Sequence, residues 1–65
     1  MNYFSWLQRV NDWISENKEV SGLKRIRLEV GLEDELHGAY LCKELTRQEF
    51  ENLVKISNLS IEILD

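Results

Sequence analysis

The side chains best suited to covalent chemistry are Cys42 and His37, the one cysteine and the one histidine of the chain. A thiol within hydrogen-bond reach of an imidazole can act as an activated nucleophile. Five positions separate them, and the segment His37 to Glu44 reads as a strand. On a strand an odd spacing sends two side chains to opposite faces, so they cannot meet without a bulge. The spacing favours a surface histidine near a turn and a small filler cysteine. A lone cysteine also excludes an intramolecular disulfide and the usual cysteine-based zinc site.

Glu33, Asp34 and Glu35, with His37 beyond them, supply metal-ligand chemistry. Calcium loops spread their oxygen ligands over about twelve residues around a sharp glycine turn. Three consecutive carboxylates on a short connection diverge instead. The spacing favours a solvated turn that limits edge pairing, or an acidic knob that docks on a basic partner. No metal and no cofactor is expected.

Arg25, Arg27 and Tyr40 form the third constellation, with Lys24 beside them. Interleaved arginine and tyrosine on a sheet face can stack single-stranded bases. One tyrosine is a thin platform, and Glu29 continues the same row. An ordinary polar outer face is the simpler reading. Trp6 and Trp13 stand one heptad apart on a helix. They are either core anchors or, in part, an exposed rim able to bind a partner.

The elements that must position these residues follow from periodicity. Tyr3, Trp6, Leu7, Val10, Trp13 and Ile14 recur at intervals of three and four, which predicts a helix from Tyr3 to about Lys18 capped by Asn2. Phe4 lies off that stripe. Gly22 supplies backbone freedom for the turn that follows. From Lys24 to Leu32, Ile26, Leu28, Val30 and Leu32 alternate with polar residues and Gly31, which predicts a half-buried strand. With Glu33 to Leu36 as the connection, the strand His37 to Glu44 completes a hairpin. Its facing is open. Either Ala39 and Leu41 or Tyr40 and Cys42 point inward, one residue of register apart, and Leu45 favours the first.

Thr46 and Glu49 stand in the relation of a capping box, with Leu45 and Phe50 as a hydrophobic staple. They predict a second helix to about Ser57, stopped at Asn58. Leu59, Ile61 and Ile63 alternate and predict a third strand. The order α-β-β-α-β implies a two-layer α+β sandwich: a three-stranded mixed sheet, strand order 2-1-3, with both helices on one face.

Sixty-five residues leave room for a single domain, 1–65, too small for a deep ligand pocket. Twelve acidic against eight basic residues give a net charge of −4, opposite to the usual nucleic-acid binder. No apolar stretch approaches the ~20 residues of a membrane span. The first residues lack a secretory pattern, and Asn58-Leu59-Ser60 is then a chance glycosylation match, so the expected location is cytoplasmic.

These readings argue against an enzyme. They favour a small cytoplasmic protein–protein interaction module, for instance an inhibitor carried by a phage or mobile element. Partner binding is expected through Arg25, Arg27 and Tyr40 on the open sheet face and Glu33, Asp34 and Glu35 at the hairpin tip. Two alternatives stand beside it: a nucleic-acid accessory protein using the basic strand, and a homo-oligomeric structural subunit. A homodimer through a sheet edge or the tryptophan helix is compatible with the first and required by the last.

Overall fold

The computed structural model describes residues 2–59, which form three α-helices: α1 (Tyr3–Asn17), α2 (Gly22–Leu41) and α3 (Arg47–Ser57). No strand forms among the described residues, so the α+β sandwich and its sheet are overturned. The expected third strand falls on residues 59–65; Leu59 packs on the core, and the remainder lies outside the described residues.

α1 forms where the apolar stripe requires it. The Asn2 side chain accepts from the Ser5 N–H at 2.9 Å, satisfying one of the free amides of the first turn. Trp6 and Val10 are buried, and Tyr3, Leu7, Trp13 and Ile14 pack on them from the edge. The two tryptophans therefore differ: Trp6 is core, and Trp13 is half-exposed. Gly22 opens α2 at φ +69°, a left-handed conformation that a side chain would strain.

α2 replaces the expected hairpin. Glu29, Leu32, Leu36 and Ala39 are spaced by three, four and three, and all four are buried on one side of the helix. The segment is rich in leucine, glutamate, lysine and arginine, all good helix formers. The apparent alternation comes from two helical pairs on different sides. Leu32 is buried in the core and Leu28 lines the cleft beside it, while Ile26 and Val30 stay exposed. The register question dissolves for the same reason: Ala39 is buried, Tyr40 half-buried, and Leu41 and Cys42 exposed.

α3 forms as its local signals dictate. The Thr46 side chain accepts from the Glu49 N–H at 3.1 Å, and the Glu49 carboxylate accepts from the Thr46 N–H at 2.9 Å. Leu45 and Phe50, on either side of the cap, are both buried in the core. Asn58 ends the helix in the left-handed region (φ 51°, ψ 49°). α3 packs against both α1 and α2, and Leu53, buried completely, anchors it there. α1 and α2 diverge, leaving an open cleft of about 570 Å³ between them.

Candidate functional site on the exposed face of α2

The six residues expected to bind a partner occupy one helix, and their surroundings separate them. Arg25 turns inward. Its Nε donates to Glu29 Oε2 at 2.9 Å, its Nη1 donates to the Asn17 carbonyl at 2.9 Å, and its guanidinium lies 4.8 Å from the centre of the Trp13 ring. This cation is spent on joining the end of α1 to the start of α2. Tyr40 stacks on Phe50, with ring centres 5.3 Å apart, and on His37 at 6.4 Å. It belongs to the packing of α2 against α3, so it does not lie beside the arginines.

The acidic triplet is divided too. Glu35 accepts two hydrogen bonds from Arg9, at 2.9 Å from Nε and 2.7 Å from Nη2, which bridge α1 and α2 across the cleft. Glu33 is largely covered and faces His37, with Oε1 3.9 Å from Nδ1. Burial raises its pKa above the ordinary carboxylate value; His37 opposes that rise and Asp34 adds to it. Asp34 is exposed. There is no acidic hairpin tip. The three side chains leave the helix about 100° apart, yet Asp34 hydrogen-bonds to Glu33 while Glu35 turns to Arg9.

His37 and Cys42 are not a catalytic pair. The imidazole lies among Tyr40, Phe50 and Glu33, whereas Cys42 is the exposed C-terminal cap of α2. Five residues on a helix differ by roughly 140° in direction. Among the described residues, no three His, Cys, Asp or Glu side chains are placed to hold a metal ion. None of the described helices is long and apolar enough to cross a membrane.

What α2 does bring together is Arg27 and Asp34 with Val30, which the sequence pattern had placed on a half-buried strand, and with Leu23, to which that pattern gave no role. Leu23 is 75% exposed and Val30 42% exposed. Leu23, Arg27, Val30 and Asp34 fall within about 60° of one another around the helix. Ile26 flanks this face at 45% exposure, and Leu41, 67% exposed, lies farther toward the C-terminus. Gly31 and Gly38 lie along its border. A Cβ built at either would meet nothing within 4 Å. The result is an apolar patch of Leu23, Ile26 and Val30 about two helical turns long, with Arg27 and Asp34 on the same face and Leu41 standing apart at its C-terminal end. The signal for it was present in the sequence: a helical reading that takes Leu32, Leu36 and Ala39 into the core leaves Leu23, Ile26 and Val30 without a place there. No family model, curated protein or solved structure matches the chain.

Proposed function

We propose that the protein is a non-enzymatic interaction module that docks through the exposed face of α2. One observation carries this reading. Leu23 and Val30 stand in solvent beside Arg27 and Asp34, on a rigid helix whose opposite side is locked into the core. Scattered exposed apolar residues are common on protein surfaces, but apolar residues grouped at i, i+3 and i+7 on one helix face, as Leu23, Ile26 and Val30 are, take the usual form of a helix-mediated contact. Arg25 and Tyr40, first placed at such a surface, serve the fold instead. Arg27 and Asp34 remain its polar members, suited to orienting a partner.

The test compares three immobilised forms of the chain in extracts of its own host. These are the unaltered protein, a Leu23→Ser/Val30→Ser double variant, and Lys55→Ala, which alters the exposed side of α3. Circular dichroism first establishes that all three fold alike. The reading predicts polypeptides retained by the unaltered protein and by Lys55→Ala but lost from the double variant. Equal retention by all three would show that binding does not run through α2.

A further inference from the structure

We propose that the occupant of the α2 face is a second copy of this chain, packed antiparallel about a two-fold axis passing between Val30 and Gly31. The inference rests on the docking reading above and names its partner. Its basis is self-complementarity. When Val30 is set opposite the partner's Gly31 in an antiparallel helix pair, Arg27 falls opposite the partner's Asp34. Leu23 falls opposite the partner's Gly38. One register thus satisfies three relationships at once, and the two-fold repeats each of them.

Each relationship has a separate physical basis. Leu23 and Val30 are exposed apolar side chains with nothing in the described chain to cover them. Arg27 and Asp34 are opposite charges on an exposed face, seven residues or about 10.5 Å apart along the axis. Their order along the helix means that only reversal of direction sets each against its opposite. Gly31 and Gly38 sit in the interior of a long helix, where glycine weakens the helix relative to alanine. Their Cβ positions are empty within the chain, so intramolecular packing does not require them. Close approach of another backbone does, because helix axes come nearer where the contact residues are small. A heterologous partner could use the apolar patch, but it would have no reason to match these spacings.

The contact involves a single helix from each protomer, which places it at the small, reversible end of protein interfaces. Self-association is therefore concentration-dependent rather than permanent.

The experiment is sedimentation equilibrium on the full chain from micromolar to millimolar concentration, with charge-exchange variants. The unaltered protein is expected to shift from monomer to dimer. Arg27→Asp alone sets Asp against Asp, and Asp34→Arg alone sets Arg against Arg. Each should weaken the dimer by roughly tenfold or more. Mixed in equal amounts, those two variants should pair with each other, since one then carries two anions and the other two cations at the matching positions. Gly31→Gln should abolish association without lowering the unfolding midpoint, because its Cβ enters open space at the edge of the α1–α2 cleft and glutamine favours the helix over glycine.

A monomer across the whole range overturns the proposal. So does failure of the mixed variants to pair, or a Gly31→Gln protein that dimerises like the parent. These failures leave the docking reading intact if host polypeptides are still lost with Leu23→Ser/Val30→Ser. Loss of no polypeptide in that comparison, together with intact dimerisation, would separate the two claims in the other direction.

Discussion

The Arg25 guanidinium donates to the Glu29 carboxylate at 2.9 Å one helical turn along α2, and that carboxylate is 2% exposed. An ion pair so placed differs in kind from the exposed pairs Arg9–Glu35 and Arg47–Glu51, which water and salt screen. A buried carboxylate must be matched by charge and hydrogen bonds, because its desolvation is not otherwise offset. Arg25 supplies the match and also reaches the Asn17 carbonyl, so the same side chain sets the angle between α1 and α2.

Arg25→Ala leaves the Glu29 charge buried without this partner and is expected to cost about 3 kcal/mol. A chain this size has roughly 3–5 kcal/mol in total, so the variant should keep only about 0–2 kcal/mol and unfold at a much lower urea concentration. Replacing both partners, Arg25→Met with Glu29→Met, removes the buried charge together with its cation and should recover most of the loss. Urea midpoints decide the matter. A double variant no more stable than the single one would show that Arg25 acts through its packing on Trp13, not through charge.

The Thr46 cap gives a second expectation. Thr46→Ala removes the acceptor for the Glu49 N–H and should lower stability by about 1 kcal/mol. Denaturant titration would detect it easily. An unchanged midpoint would mean that the Glu49 carboxylate holds the helix start by itself.

The contrast between this cap and α2 explains what the sequence could convey. Asn2, Gly22, Thr46–Glu49 and Asn58 act over a few residues, and each kept its expected role. α2 failed because periodicity cannot distinguish one face of a strand from two pairs on a helix. Ile26 and Val30 are four apart, Leu28 and Leu32 are four apart, and interleaving the pairs creates a false period of two. With the strand came the sheet, its order and the open face on which Arg25, Arg27 and Tyr40 were placed together. The candidate site was hidden by the same residues that caused the error. Once Leu32, Leu36 and Ala39 are taken as the core stripe, Leu23 and Val30 become surplus to it, and surplus apolar residues mark a surface.

Glu33 provides a pH-dependent expectation. Its pKa is raised in the folded chain, chiefly by burial, with His37 opposing and Asp34 reinforcing. The folded state therefore binds a proton more tightly than the unfolded state does. Stability from this group is fully present below the unfolded pKa and lost as pH rises through the folded one. At neutral pH the ionised carboxylate is a net burden. Glu33→Gln should then raise the urea midpoint at pH 7 and confer no advantage near pH 3. A variant less stable than the parent at pH 7 would show that attraction to His37 outweighs desolvation.

Lys43 carries the last expectation. At the end of α2 the Glu44 N–H donates to the Ala39 carbonyl at 2.9 Å, and the Lys43 N–H donates to the Tyr40 carbonyl at 3.1 Å. This pair of bonds closes a helix only when the residue between helix and loop is left-handed, and Lys43 has φ 64°. A side chain in that region crowds its own backbone, at a cost of roughly 1–2 kcal/mol that glycine avoids. Glycine also loses more freedom on folding, which offsets part of the gain. Lys43→Gly should therefore stabilise the protein by about 0.5–1 kcal/mol, whereas Lys43→Val should destabilise it, since a β-branched residue tolerates positive φ worst. Both effects are read as shifts in the denaturant midpoint at constant slope. If Lys43→Gly lowers the midpoint, the lysine contributes more through the nearby carbonyls of the helix end than its backbone loses, and the dipole of α2 governs this turn.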